Sequence, residues 1–210
     1  MSQTLPPFSP LSLRLIAITD DVRAGAHDLV ARAAAAVRGG ATMVQLRLKD
    51  ADARTLVEVA RALVVALPVP VLVNDRADVA LAAGAAGVHL GTDDLPVRAV
   101  RRITPPGFVV GVSVGSEAEV EGSRGADYVG IGPVFGTLSK LDAGPAIGVA
   151  ELARLTRMCA LPSVAIGGIS EENAAEALSA GASGVALIRA LLGAPDPEIA
   201  ARRILDAIER

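Results

Sequence analysis

Short apolar runs alternate along the chain with longer stretches in which Ala, Leu and Val recur at helical spacing. The short runs are rich in β-branched residues, so they predict strands. They fall near residues 14–19, 43–48, 71–74, 87–90, 108–114, 128–133, 163–167 and 184–188. A helix is expected after each strand, with a last one near residues 196–209. Eight strand–helix units in 210 residues predict a single α/β domain with the (β/α)8 TIM-barrel fold.

An internal repeat supports this count. The pattern Gly-Ala-x-x-Val occurs at Gly40–Val44, Gly84–Val88, Gly125–Val129 and Gly181–Val185. Each copy stands where a helix should end, because Gly readily takes the left-handed conformation there, and each leads into an even-numbered strand. A doubly wound sheet is the competing fold. Four even repeats favour closure into a barrel.

The chain shows no linker or charge run after its first dozen residues. We therefore predict a flexible N-terminal tail over residues 1–12 and one catalytic barrel domain over residues 13–210. The first ten residues carry neither a basic nor an apolar signal segment, and the most apolar run is broken by Pro68 and Pro70. These features predict a cytoplasmic protein with no membrane span.

The amino-acid composition argues against some classes of function. Net charge is −3 and aromatic residues make up 2% of the chain, which argues against a nucleic-acid surface. Cys159 is the only cysteine, which excludes an internal disulfide and favours a packing role. Of the twenty basic residues only Lys49 and Lys140 are lysines. The oligomeric state stays open, and a homo-oligomer is compatible with the sequence.

Strand two ends in VQLRLK, where polar and apolar residues alternate. A period of two places Gln45, Arg47 and Lys49 on one face. Three polar side chains on one face of a buried strand need a ligand or a partner, because burying unpaired charge is costly. We predict an anion site. The competing interpretation is a structural ion-pair network with acidic residues of the barrel mouth.

Carboxylates follow the next two strands directly. Strand three ends in Asn74 and Asp75, and Asp93 and Asp94 follow strand four. Neighbouring parallel strands lie about 4.8 Å apart, so Asp75 and Asp94 can share one hard cation. They predict a Mg²⁺ site completed by water and substrate phosphate. Taken singly, these carboxylates are better explained as caps of the helices that follow them.

The longest barrel loop, Phe135–Gly148, brings Thr137, Ser139 and Lys140 together after strand six. Long barrel loops usually carry function, so this one is predicted to close over a phosphate.

Three smaller residues add neutral hydrogen-bonding groups at other strand ends. Ser113 ends strand five, and Gly167 and Gly168 after strand seven allow a phosphate to approach the backbone N–H groups.

The two histidines receive structural interpretations. His89 lies within strand four and is interpreted as a packed, hydrogen-bonded barrel residue, and His27 as a solvent-facing one. No Ser-His-Asp arrangement, zinc spacing or Walker loop is visible, so nucleophilic hydrolysis is unsupported.

The motifs QLRLK, VNDRADVALAAGAAGVHLGTDDLP, GVSVGS, ADYVGIGPVFGTLSK and AIGGI occur in this order. Their ordered set resembles the thiamine-phosphate synthase family, also called thiamine-phosphate pyrophosphorylase, from Leu15 to Leu192. The resemblance implies a transferase that couples 4-amino-2-methyl-5-pyrimidinylmethyl diphosphate with a thiazole phosphate, giving thiamine phosphate and pyrophosphate. In that family pyrophosphate leaves first, and the thiazole nitrogen captures the resulting cation.

The resemblance also implies residue roles. Asp75 and Asp94 hold Mg²⁺, and Gln45 contacts the aminopyrimidine. The diphosphate is held by Arg47, Lys49, Asn74, Ser113 and Lys140, of which all but Asn74 form the catalytic set. Thr137, Ser139, Gly168, Ile188 and Arg189 lie at the thiazole phosphate.

Six positions depart from the family pattern. They are Leu48 where Glu is common, Thr92 where Gln is common, Gly115 where His is common, Gly136 where Pro is common, Ser139 where Thr is common and Arg189 where Ser is common. Arg189 has the largest consequence, since its charge either strengthens or blocks the second phosphate site.

Three alternatives stay open. A related thiazole tautomerase branch shares the barrel, but it uses the His that Gly115 replaces here and tends to lose the metal carboxylates. A phosphate-ligand-binding barrel without turnover is the second. A phosphosugar isomerase is the third, and the chain offers no obvious acid/base carboxylate pair for it.

Overall fold

Eight parallel strands close into one barrel, which confirms the predicted fold class. The computed structural model describes residues 8–20, 26–137 and 144–209, with the backbone alone for residues 26 and 27. Each strand pairs with the next along the chain, and the last pairs with the first. The strands are β1 Leu15–Ile18, β2 Met43–Leu46, β3 Val71–Asn74, β4 Gly87–Leu90, β5 Val109–Val114, β6 Tyr128–Ile131, β7 Ser163–Ile166 and β8 Gly184–Leu187.

Helices cover the outside of the barrel. They are α1 Ala26–Arg38, α2 Ala53–Ala66, α3 Ala77–Ala83, α4 Val97–Ile103, α5 Gly148–Cys159, α6 Ala174–Ser179 and α7 Pro197–Glu209. The α-helix expected after strand five is wrong, because a 3-10 helix, Glu117–Ser123, stands there. This segment carries few apolar residues and contains Gly122, so it lacks the apolar stripe that stabilises a surface α-helix.

The repeat glycines have the conformation that the sequence predicts. Gly40, Gly84, Gly125 and Gly181 all have φ between 71° and 108°, where side chains are strained. Each ends the helical segment before an even-numbered strand, which confirms the assignment of the repeat.

Two apolar layers form the core. The larger lies between strands and helices and includes Leu15, Val44 and Val129. The smaller fills the barrel interior and includes Met43 and Tyr128. Because side chains alternate along a strand, residues two and four positions after Met43 also face the barrel axis.

The N-terminal segment is described from Phe8 onward. Pro10–Leu13 form a 3-10 helix, Leu13 is fully buried, and the Phe8 ring lies 6.2 Å from that of Tyr128. The division of the chain at residue 12 stays a prediction. Over the ranges that the structure describes, no helix combines the length and apolar character needed to cross a membrane.

Candidate active site

A cavity of 740 Å³ opens at the carboxyl ends of the strands, and all eight strands or their following loops contribute to its wall. This size suits a small organic ligand. Eleven of the residues predicted for the site line it: Gln45, Arg47, Lys49, Asn74, Asp75, Asp94, Ser113, Thr137, Gly168, Ile188 and Arg189. Ser139 and Lys140 lie outside the described residues, and so does the side chain of His27. The structure therefore brings the described candidates together, and their individual roles stay predictions.

Strand β2 supplies the polar wall that its alternation predicts. Gln45 and Arg47 follow Met43 on the inner face, and both are buried. Gln45 Nε2 donates to Asn74 Oδ1 at 2.7 Å, which links the ends of β2 and β3. The neighbouring strands thus present their amide groups side by side to a ligand.

The Arg47 guanidinium forms an ion pair through one nitrogen, and within the described residues another of its nitrogens has no hydrogen-bond partner. Its Nη1 donates to Asp20 Oδ1 at 2.9 Å, as the ion-pair interpretation expects. Thr19 Oγ1 accepts from the Arg47 backbone N–H at 2.8 Å. Within the described residues, however, the buried Nη2 has no hydrogen-bond partner. An unsatisfied buried donor is unfavourable, so this atom fits an incoming anion.

Asp75 and Asp94 form a carboxylate pair at the ends of β3 and β4. Desolvation of the Asp75 carboxyl group by the surrounding protein, together with the neighbouring Asp94 carboxylate, raises the pKa of Asp75 to about 6. The residue is nevertheless accessible from the cavity. Asp94 Oδ2 accepts a hydrogen bond from the Gly91 N–H at 2.6 Å. Two carboxylates this close carry negative charge that a divalent cation would balance.

The capping interpretation of these carboxylates is wrong. Arg76 occupies the N-cap of α3 and Pro96 that of α4, and neither cap carries a side-chain hydrogen bond. Asp75 and Asp94 therefore do not serve as the caps of these helices. Among the described residues no three His, Cys, Asp or Glu side chains cluster as a metal site. Two carboxylates suit Mg²⁺, which completes its shell with water and phosphate oxygens.

Backbone groups form the opposite side of the mouth. Gly167 and Gly168 have φ values of 90° and 65°. A Cβ at Gly168 would lie 2.6 Å from the Gly136 carbonyl oxygen, so only glycine fits there. Within the described residues the Gly168 N–H makes no hydrogen bond, while its carbonyl accepts from Asn173 Nδ2 at 2.9 Å. Arg189 is exposed at the rim of this side.

Two acidic residues of the site were missed by the sequence analysis. Asp20, which binds Arg47, lies directly after strand one, where a carboxylate past a buried strand was a usable signal. Glu119 lines the cavity and accepts hydrogen bonds from the Gly115 N–H at 2.6 Å and the Ser116 hydroxyl at 3.1 Å. The Ser-x-x-Glu spacing of residues 116–119 is a capping-box pattern that would have located it.

His89 is the third missed residue. The interpretation of His89 as a packed, hydrogen-bonded barrel residue is confirmed, since it is buried and bonded to Tyr128 and Ser113. It also lines the cavity, which its position inside a strand did not reveal.

A closed (β/α)8 barrel whose cavity at the strand ends is lined in part by charged and amide side chains defines the class: a barrel with its cavity where barrel enzymes carry their active sites. Comparisons with known proteins give the family. Residues 15–191 match the model of the thiamine monophosphate synthase family. The chain belongs to that family, which confirms the resemblance drawn from the ordered motifs.

Individual relatives agree with this assignment. The thiamine-phosphate synthase of Roseiflexus castenholzii is 49% identical over 90% of this chain and 85% of its own. That of Methanoculleus marisnigri is 48% identical over 92% of this chain and 94% of its own. Among solved structures, the thiamine phosphate pyrophosphorylase of Pyrococcus furiosus superposes with a TM-score of 0.84 and 36% identity, over 95% of this chain and 97% of that one.

Proposed function

We propose that this protein is a thiamine-phosphate synthase, a transferase that couples 4-amino-2-methyl-5-pyrimidinylmethyl diphosphate with a thiazole phosphate. The products are thiamine phosphate and pyrophosphate. The observation that carries the proposal is the cavity wall on β2–β5, where the buried Arg47 Nη2, which has no hydrogen-bond partner within the described residues, lies on the same wall as the Asp75–Asp94 carboxylate pair. Both small-molecule substrates carry phosphate, and this wall suits the more highly charged diphosphate.

The diphosphate half of the reaction is assigned to the β2–β5 wall. The buried Arg47 Nη2 supports a hydrogen bond to a diphosphate oxygen. Lys49, Asn74 and Ser113 line the same wall. Lys140, in the loop that follows strand six, belongs to the same predicted set. These groups stabilise the departing negative charge, so the carbon–oxygen bond can break before the thiazole attacks. The reaction needs no protein nucleophile.

Asp75 and Asp94 are the residues that would hold Mg²⁺ at this wall. Their paired negative charge, visible in the raised pKa of Asp75, fits a divalent cation. When bound, Mg²⁺ neutralises charge on the departing pyrophosphate.

The other substrate groups are assigned to neighbouring residues. The amide of Gln45, fixed by its bond to Asn74, keeps a carbonyl oxygen that can accept from the exocyclic amine of the pyrimidine. Gly168 supports binding of the thiazole phosphate by its backbone N–H, with Thr137, Ile188 and Arg189 around it. Ser139 belongs to the same predicted set.

A coupling assay tests the proposal directly. Purified protein is incubated with the pyrimidine diphosphate, the thiazole phosphate and Mg²⁺, and thiamine phosphate is followed through its fluorescent oxidation product. We expect product that disappears in excess chelator. Asp94→Asn should lower turnover by about 100-fold, whereas Asp206→Asn, an exposed carboxylate on α7, should leave it unchanged.

The outcomes separate the alternatives. Full activity in excess chelator would remove the metal site from the mechanism. Thermal stabilisation by the diphosphate without product would favour a ligand-binding barrel. Isomerisation of the thiazole phosphate without coupling would favour the tautomerase. The tautomerase is disfavoured at present because Gly115 occupies the position of its His and both carboxylates are present.

A cytoplasmic location is proposed with this function, and a homo-oligomer is compatible with it. The single cysteine supports a reducing compartment. Size-exclusion chromatography with light scattering would measure the oligomeric state.

A further inference from the structure

Three hydrogen-bonding side chains run in a line from the closed interior of the barrel to the cavity. The Tyr128 hydroxyl lies 2.9 Å from His89 Nδ1, and His89 Nε2 lies 3.1 Å from Ser113 Oγ. Tyr128 is 1% exposed and His89 7% exposed, so Ser113 is the most accessible of the three from the cavity. We call this set the Tyr128–His89–Ser113 chain.

Two inward-facing glycines make room for these rings. A Cβ at Gly111 would lie 2.2 Å from Cζ of Tyr128, and a Cβ at Gly130 would lie 3.0 Å from Cε1 of His89. Gly111 is the strand partner of Tyr128 in the β5–β6 ladder. The Tyr128 and His89 rings thus occupy space that side chains at Gly111 and Gly130 would fill.

The surroundings of Tyr128 fix the direction of the first hydrogen bond. Its ring packs among the apolar residues of the barrel interior, and burial raises the pKa of the phenol, so the proton stays on the oxygen. Within the described part of the chain, His89 Nδ1 is the one hydrogen-bond partner of this hydroxyl. If Nδ1 donated instead, the phenol proton would be buried without an acceptor.

The direction of the Tyr128–His89 hydrogen bond determines the direction of the His89–Ser113 hydrogen bond and of the one that Ser113 can make into the cavity. A neutral imidazole that accepts at Nδ1 carries its proton on Nε2. Nε2–H then donates to Ser113 Oγ, so the Ser113 proton cannot be used toward His89. That proton is left to donate into the cavity.

We propose that Tyr128, acting through His89, is a positioning residue that fixes the Ser113 hydroxyl as a hydrogen-bond donor to the diphosphate. The inference rests on the proposed function for its ligand. Its first step, the tautomer of His89, is a property of the free protein.

The tautomer is measured by NMR on ¹⁵N-labelled protein. The chain has two histidines, so His27→Gln leaves the His89 ring as a single pair of nitrogen signals. At pH 8, where an ordinary histidine is neutral, we expect the proton on Nε2. Tyr128→Phe should shift the ring toward protonation on Nδ1. A wild-type ring protonated on Nδ1, or on both nitrogens, would overturn the inference.

The kinetic test is a double-mutant cycle. Tyr128→Phe should lower kcat about tenfold with little change in KM for the diphosphate, less than the about 100-fold loss expected for Ser113→Ala. In the Ser113→Ala background, Tyr128→Phe should not lower kcat any further. Ser163→Ala, which removes another buried hydroxyl, on β7 and bonded to Thr156, is the matched control and should keep its activity. Additive losses in the cycle would contradict the inference.

Replacement of His89 gives a separate readout if Tyr128→Phe fails to fold. The amide nitrogen of Gln reaches the place of Nε2, whereas that of Asn reaches only the place of Nδ1. His89→Gln should therefore keep more activity than His89→Asn, and equal losses would contradict the inference. Absence of any thiamine phosphate in wild type would refute the proposed function, while the NMR result would still decide the tautomer.

Discussion

Asp75 has a left-handed backbone, with φ of 63°, which is uncommon for a residue with a side chain. Asp tolerates this conformation better than most residues. Its backbone N–H donates to the His89 carbonyl at 2.7 Å, which ties the end of β3 to that of β4. The strained turn therefore holds the carboxyl group beside Asp94, as is typical of residues at functional sites.

The carboxylate pair predicts a pH dependence of stability. The pKa of Asp75 is raised in the folded protein to about 6 from its ordinary 3.8. The folded state therefore binds the proton more tightly, and this stabilisation is complete below pH 3.8 and lost as pH rises through 6. In chelator, Asp75→Asn should gain thermal stability over wild type as pH rises from 4 to 7.

The pH-dependent part of the difference is the informative quantity, because Asn also relieves the backbone at any pH. Asp206→Asn on α7 is the control and should show no such slope. A difference between Asp75→Asn and wild type that is constant across this pH range would contradict the raised pKa.

Arg189 predicts a specificity effect at the rim of the cavity. It stands beside the Gly168 backbone group proposed for the thiazole phosphate, away from the carboxylate pair. Arg189→Ser should change the KM for the thiazole phosphate by about tenfold and that for the pyrimidine diphosphate far less. Steady-state kinetics with each substrate varied in turn measures both. The reverse pattern would mean that the thiazole phosphate binds elsewhere.

At the scale of elements, the strands divide the mouth into two unlike halves. β2–β5 supply charged and amide side chains, with Arg47, Asn74 and Ser113 on their inner faces. β6–β8 and their loops supply apolar side chains, Arg189 at the rim and five glycines, and glycines such as Gly132 and Gly168 allow the strands and loops to approach closely. The first half suits a ligand of high charge, and the second a phosphate bound by the backbone.

The inner face of β5 gives a stability prediction. Gly111→Ala would drive its methyl group into the Tyr128 ring, which neighbouring strands hold on both sides. We expect a loss of about 1–3 kcal/mol in the free energy of unfolding. Gly122→Ala is the matched control, since nothing lies within 4 Å of its Cβ position, and it should be neutral. Denaturant unfolding measures both variants. Equal stabilities would show that the interior can adjust to a methyl group.

At the scale of the whole molecule, the ligands proposed for the cavity should act on global stability together. Mg²⁺ and pyrophosphate would both bind at the wall that carries Asp75, Asp94 and Arg47, so each should improve binding of the other. Thermal unfolding should show a joint rise in Tm larger than the sum of the separate rises. The Asp94→Asn variant is the control and should lose the joint part. Strictly additive rises in Tm would show that Mg²⁺ and pyrophosphate bind independently of each other.

The sequence predicted the barrel because its strands are short β-branched runs set off by the repeat glycines. It also predicted that Asp75 and Asp94 lie close together after adjacent strands, since the parallel order of the strands determines this. It missed the contact of Tyr128 with His89, which lies 39 residues away and two strands across the barrel. That contact depends on Gly111 leaving space on β5 between them.

The division of the mouth has a consequence for how such a site is mapped and how it changes during evolution. An alanine scan removes side chains, so it would report the side chains of the β2–β5 half but would miss the backbone N–H group proposed for the phosphate at Gly168 on the β6–β8 half. At Gly168, by contrast, a scan would add a methyl group rather than remove one, and the variant would register as a folding defect. Substrate preference can therefore change through single side-chain substitutions, on β2–β5 or at Arg189, whereas the backbone group at Gly168 can change only when its loop is remodelled.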